Sequence, residues 1–174
     1  RIGTSSGLSS YRAVGTQDGE RVLRMVLGAG AAGDVFTGVH CCAQDPPVDL
    51  LCGAGVDFVG VDLTFAQDSA LDDALGSALD SGIALLAGCV PATDVDRLTE
   101  AQASAPLRDL LHRVGLDDHR WLDLVSVTPT CGLAGASPQW ARSALAACRA
   151  VGRIVREDED DDHAADDRAR EGEE

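Results

Sequence analysis

Short apolar stretches alternate with longer amphipathic stretches along most of the chain. The apolar stretches are rich in Val, Leu and Ile, a composition typical of buried parallel strands. They lie at residues 35–40, 58–62, 83–87 and 122–127. The amphipathic stretches predict helices at about residues 17–28, 46–54, 68–81, 94–114 and 138–155. The chain is therefore expected to be an α/β protein with about four parallel strands and flanking helices.

Two architectures fit this alternation of strands and helices. The units could form a small doubly wound domain. They could equally form half of a (β/α)₈ barrel, a fold that runs to about 250 residues when it is whole. The hydrophobic pattern alone does not separate the two.

The negative charge of the chain is concentrated at its C-terminal end. Residues 156–174 contain eleven acidic residues and three arginines, and the whole chain has a net charge of −15. A segment with so little apolar surface has nothing to bury, so we expect a folded body at residues 1–155 and a disordered acidic tail at 156–174. The charge disfavours nucleic acid as a partner. No apolar run reaches the roughly 18 residues that a membrane span requires, so no membrane partner is expected.

The first candidates for chemistry are a His and a Cys two residues apart. Alternate side chains of a strand point to the same side, so those of His40 and Cys42 can converge while that of Cys41 points away. Asp62 ends the next predicted strand, and Cys131 follows the last one. Parallel α/β folds bind their ligands at this carboxyl edge of the sheet. One nitrogen, two sulfurs and one oxygen are donors that Zn²⁺ prefers, so a zinc site is predicted there.

The other cysteines are interpreted differently. Cys52, Cys89 and Cys148 are read as small hydrophobic residues of the core. Six cysteines at irregular spacing in 174 residues do not resemble a secreted disulfide scaffold. A reducing, cytoplasmic location is therefore expected.

A resemblance to a known enzyme family is carried by two segments, Val39-His40-Cys41-Cys42 and Thr128-Pro129-Thr130-Cys131-Gly132-Leu133. They are similar to the H-x-C zinc motif and to the last-strand D-C-G-L or T-C-G-L motif of the C-terminal domain of cobalamin-independent methionine synthase. Asp62 falls where that family has a Glu zinc ligand. The resemblance covers roughly residues 35–155.

The resemblance implies the C-terminal half of a (β/α)₈ barrel that holds Zn²⁺ through His40, Cys42, Asp62 and Cys131. It implies a methyltransferase that moves a methyl group from 5-methyltetrahydropteroyl-glutamate, a folate, to the zinc-bound thiol of homocysteine in methionine biosynthesis. The expected partners are a homocysteine-like thiol, a folate-like methyl donor and the other half of the barrel. Because the chain begins at Arg1 without an initiator Met, we expect that half to lie upstream.

One departure from the family pattern leaves a second function open. The family has a His that looks like a proton donor to the leaving folate. This chain has Pro91 at the matching position. The alternative is therefore a zinc-holding thiol or amino-acid binding protein without turnover.

A glycine-rich segment offers a third interpretation. The residues from Gly28 to Gly33 match G-x-G-x-x-G, the pattern of a dinucleotide-binding loop. That loop requires a strand before it and a helix after it. Here the preceding residues favour a helix and the following ones a strand, so a helix-to-strand loop is expected.

Overall fold

The computed structural model describes residues 14–31, 35–65, 69–115 and 121–171, and of residues 31 and 158–171 it describes the backbone alone. In chain order the elements are α1 (Thr16–Ala31), β1 (Gly38–Cys41), α2 (Val48–Gly53), β2 (Phe58–Asp62), α3 (Ser69–Asp80), β3 (Ala84–Val90), α4 (Glu100–Val114), β4 (Val125–Pro129) and α5 (Pro138–Glu171). The α/β class and the four strands are thus confirmed. Within the described residues, no helix combines the length and apolar composition that crossing a membrane requires.

The four strands form one parallel sheet in the order β1-β2-β3-β4. The connection between two parallel strands is right-handed. When each new strand is added at the same edge of the sheet, every connecting helix therefore packs on the same face. A doubly wound sheet instead reverses direction and is covered on both faces. The winding is therefore that of half of a (β/α)₈ barrel, which decides between the two architectures that the hydrophobic pattern allowed.

The two faces of the sheet differ in burial. Val59, Val61, Leu85 and Ala87 belong to the hydrophobic core and are each at most 1% exposed. The alternate side chains lie on the opposite face, where His40 is exposed. The core therefore lies between the sheet and its helices, and the opposite face is open.

Helix α4 begins later than the predicted residue 94. Its N-cap is Thr99, whose side chain accepts a hydrogen bond from the Gln102 backbone N–H (3.2 Å), while Gln102 Oε1 accepts one from the Thr99 backbone N–H (3.0 Å). This capping box satisfies N–H groups that the first helical turn leaves free. The helix start is therefore fixed at Glu100.

Helix α5 begins at Pro138, as predicted. Ser137 is positioned as its N-cap, because Ser137 Oγ accepts a hydrogen bond from the Trp140 backbone N–H (3.1 Å). The helix backbone continues to Glu171, past Val155, which is the last core residue among those whose side chains are described.

The acidic segment lies on this extension of α5. Arg156 still contacts the body of the protein, since its Nη2 donates a hydrogen bond to the Leu122 carbonyl (2.7 Å). The side chains from 158 onward lie outside the described residues. The sequence pattern predicted that the helix ends near residue 155, whereas its backbone is helical to Glu171. The disorder of 156–174 stays a prediction.

The order of helix α1 and strand β1 excludes a dinucleotide-binding loop at the glycine-rich segment. Helix α1 includes both Gly28 and Gly30, and the next element is strand β1. The motif requires the reverse order, strand before helix. Its last glycine, Gly33, lies outside the described residues.

Candidate metal centre

Three of the four predicted ligands meet at the carboxyl edge of the sheet. His40 lies in β1, Cys42 follows that strand directly, and Cys131 lies two residues after the end of β4. The metal-binding atoms of these three side chains all lie within 4.8 Å of one another. Cys42 Sγ donates a hydrogen bond to Cys131 Sγ at 3.5 Å. All three residues are exposed, so the group is open to solvent and to small molecules.

The approach of Cys42 and Cys131 requires a curved sheet. They follow β1 and β4, which are the two edge strands. With neighbouring strands about 4.8 Å apart, the ends of these strands would be roughly 14 Å apart in a flat sheet. Two cysteine side chains are too short to reach a 3.5 Å contact across that distance. The sheet therefore curves so that its edge strands converge over the open face.

Two glycines of the central strands leave room for this convergence. Gly60 pairs with His40 across the β1–β2 ladder, so both residues face the open side. A Cβ added at Gly60 would stand 3.0 Å from His40 Nδ1. A Cβ added at Gly88 of β3 would stand 2.6 Å from the Val61 carbonyl oxygen. Glycine at these two positions, here called the glycine floor, therefore leaves space beside His40 and beside the backbone of β2 and Thr130.

An irregularity between β3 and β4 sets the position of Cys131. Gly88 pairs with Thr128, but Val90 pairs with Pro129, so β3 contains one extra residue at this point. Such a bulge bends a strand and redirects the side chains that follow. Directly after it, the Thr130 backbone N–H donates to the Val90 carbonyl at 2.8 Å. This bond ties the loop that carries Cys131 to the end of β3.

The structure does not bring the fourth predicted ligand, Asp62, into the group. Asp62 Oδ1 instead accepts hydrogen bonds from the backbone N–H of Thr64 (2.9 Å) and from its hydroxyl (2.6 Å). Asp and Thr side chains commonly form such local bonds at the end of a strand. The carboxylate is thereby directed onto its own loop, and three protein donors remain.

The donor set of the three residues fits a borderline-soft metal ion. One imidazole nitrogen and two thiolates match the preferences of Zn²⁺, and sulfur donors exclude Mg²⁺ and Ca²⁺. The pKa of the Cys42 thiol is raised above its ordinary value, chiefly because it donates a hydrogen bond to Cys131 and further because of desolvation. A raised pKa favours the protonated thiol, and a metal ion that bound there would have to displace this proton.

The remaining cysteines lie apart from this group, as the sequence predicted for Cys52, Cys89 and Cys148. Burial raises the pKa of Cys89 to about 12 and that of Cys148 to about 11, and both residues belong to the core. Cys52 is half-buried, and burial raises its pKa as well. Cys41 is half-buried and packs against the core on the helix side of the sheet.

The loop after β3 is held by contacts to the start of α5. The carbonyl of Pro91 accepts a hydrogen bond from Trp140 Nε1 (3.0 Å). Asp94 accepts hydrogen bonds from the Ser137 backbone N–H (2.7 Å) and hydroxyl (2.5 Å), and these bonds lower the pKa of the Asp94 carboxyl. Pro91 thus occupies an ordered position near the site and offers no side-chain proton.

Comparisons with protein-family models, with curated proteins and with solved structures found no match to this chain. The resemblance to the methionine synthase family therefore rests on the two sequence motifs, whose His40, Cys42 and Cys131 the fold brings together.

The glycine floor generates a testable prediction. Gly60→Ala should weaken zinc binding by about tenfold, or about 1.4 kcal/mol, because the new methyl group displaces His40 from the two cysteines. The affinity is measured by competition with a chromophoric zinc chelator. Gly152→Ala is the matched control, since a Cβ at this glycine of α5 meets nothing within 4 Å. Equal affinities of the two variants would show that the floor does not position His40.

Proposed function

We propose that this chain carries the zinc centre of a methyltransferase of the methionine synthase type. The observation that carries the proposal is the meeting of His40, Cys42 and Cys131 at the carboxyl edge of a barrel-like sheet. In this proposal the enzyme transfers a methyl group from a folate to the thiol of homocysteine. The two motifs that resemble the family contain all three of these residues, His40 and Cys42 at the end of β1 and Cys131 after β4.

The number of protein donors supports a catalytic rather than a structural site. Structural zinc sites are closed by four protein ligands, whereas catalytic sites have three and leave one position for water or substrate. With Asp62 bonded to Thr64, the described residues of this chain offer three. Zn²⁺ bound there would supply one function, which is to keep a substrate thiol deprotonated at neutral pH.

The chain's own residues would orient the substrate around this position. The exposure of His40, Cys42 and Cys131 admits a small thiol from the open face. The floor at Gly60 and Gly88 leaves space next to the ligands where larger residues would fill it. The hydrogen bonds from Thr64 would hold the Asp62 carboxylate away from a metal ion and leave the fourth position available.

The upstream half of the barrel is the proposed protein partner. In the described part of the chain, the sheet ends at β1 and β4, and strand edges of this kind are completed by further strands in a closed barrel. Helix α1 also presents apolar side chains to solvent on one side, with Val22 at 53%, Met25 at 71% and Val26 at 66% exposure. A neighbouring helix of the other half would cover them. Because the site needs reduced thiols, we place the protein in the cytoplasm.

The alternative function, a thiol binder without turnover, is favoured by Pro91. Release of the folate requires a proton, and general acids act through an ionisable side chain within hydrogen-bond reach. Pro91 has none, and its carbonyl is engaged by Trp140. This alternative shares the zinc centre and differs only in the reaction.

Zinc stoichiometry tests the metal centre. We expect about one Zn²⁺ per chain, lost on Cys42→Ser or Cys131→Ser because a hydroxyl ionises too weakly to replace a thiolate. Cys41→Ser and Asp62→Asn are the matched controls, and both should keep the metal, since Cys41 faces the core and Asp62 bonds Thr64. The measurement is elemental analysis after dialysis. Retention of zinc by Cys131→Ser would rule out this centre.

Turnover separates the two functions. The full-length protein that carries this chain should form methionine from homocysteine and a methyl-folate, and Cys131→Ser should reduce the rate by at least about 100-fold through loss of the metal. Product is followed by mass spectrometry. Homocysteine binding to the zinc-loaded protein without methionine formation would favour the binding protein instead.

A further inference from the structure

Cys42 and Cys131 are also placed to react with each other. Their sulfur atoms are 3.5 Å apart, both residues are exposed, and both are free thiols. They are 89 positions apart in the sequence and follow the two edge strands of the sheet. A covalent bond between them would therefore join the ends of the sheet.

We propose that Cys42 and Cys131 form a reversible disulfide in the metal-free protein, with hydrogen peroxide as the oxidant, and that this disulfide excludes the metal. One sulfur attacks the O–O bond of the peroxide and becomes a sulfenic acid as the first water leaves. The second sulfur then attacks the sulfenic sulfur, the S–S bond forms, and the second water leaves. Two thiols and one peroxide thus give one disulfide and two waters, with the sulfurs oxidised and the peroxide oxygens reduced.

The geometry requires only a small movement. A disulfide has an S–S distance of about 2.0 Å, so the sulfurs must approach by roughly 1.5 Å. Cys42 lies one residue after β1, and Cys131 lies two residues after β4. Because both lie outside the strand ladders, their backbone can move without breaking ladder hydrogen bonds.

The other four cysteines do not compete for the oxidant. Cys89 and Cys148 are buried in the hydrophobic core, so the oxidant does not reach their sulfur atoms. Cys41 is the sequence neighbour of Cys42 but packs against the core on the opposite face. Cys52 is half-buried in helix α2. The structure therefore directs oxidation to the one exposed pair.

The disulfide would act on the same residues that the proposed function assigns to zinc. A sulfur in a disulfide is no longer a thiolate and does not bind Zn²⁺. In the reverse direction, bound Zn²⁺ would engage both thiolates and slow the reaction with peroxide. This exclusion rests on the proposed metal centre, whereas disulfide formation does not.

The experiment treats the chelator-stripped, reduced chain with hydrogen peroxide. Free thiols are counted with a maleimide mass tag, and the linked peptides are mapped by mass spectrometry. The wild-type chain should go from six free thiols to four, with a mapped Cys42–Cys131 link that dithiothreitol reverses. Cys41→Ser is the matched control and should form the same link. Cys42→Ser and Cys131→Ser should instead leave a sulfenic acid that dimedone traps.

Several results would overturn the inference. A mapped link between Cys41 and Cys42, or between Cys89 and Cys148, would show that the oxidant selects another pair. Persistence of all six thiols at a peroxide dose that oxidises free glutathione would show that no pair reacts. The wild-type map alone decides this, even where a variant folds poorly.

A second arm separates this inference from the proposed function. Zinc added before the peroxide should slow formation of the link at least tenfold, and the oxidised chain should bind no zinc until it is reduced. If the reduced chain binds zinc but peroxide forms no Cys42–Cys131 disulfide, the proposed metal centre stands and the proposed disulfide is wrong. A chain that forms the link at the same rate with and without zinc overturns the exclusion, and with it the assignment of zinc to these cysteines.

Discussion

The convergence of β1 and β4 over the open face of the sheet is the constraint on which the site depends. The three candidate ligands, His40, Cys42 and Cys131, belong to opposite edges of a four-stranded sheet, and they meet because that sheet is curved. The central strands permit the curvature by carrying glycine at positions 60 and 88, where a Cβ would press on His40 or on the backbone of β2. The proposed metal centre therefore depends on the absence of side chains at these two glycines.

The winding of the chain makes this open face possible. Since all strands are added in one direction, the helices gather on one side and bury Val59, Val61 and Leu85. A doubly wound sheet would have covered the face on which His40 and Gly60 lie. The same winding leaves two strand edges and an apolar side of α1, and it is these surfaces that the proposed upstream half would complete.

The parts of the structure that depend on local sequence were predictable. Alternation along one strand placed His40 and Cys42 on one side and Cys41 on the other, and strand ends defined the edge where Cys131 lies. Asp62 was predicted as a fourth ligand, but its carboxylate bonds Thr64, two residues later, and the strand pattern did not predict this local contact. The start of α4 was missed although Thr-x-x-Gln, at 99–102, is a capping signal. Curvature, register and the bulge before Val90 arise from contacts between distant segments, and no local pattern encodes them.

The central claim is that three protein ligands hold zinc and leave one position for a thiol. X-ray absorption at the zinc edge measures this directly, because Zn–S distances of about 2.3 Å separate from Zn–N and Zn–O distances of about 2.0–2.2 Å. The zinc-loaded chain should show two sulfurs, assigned to Cys42 and Cys131, and a third sulfur should enter when homocysteine is added. A sulfur count that stays at two in saturating homocysteine would contradict the account.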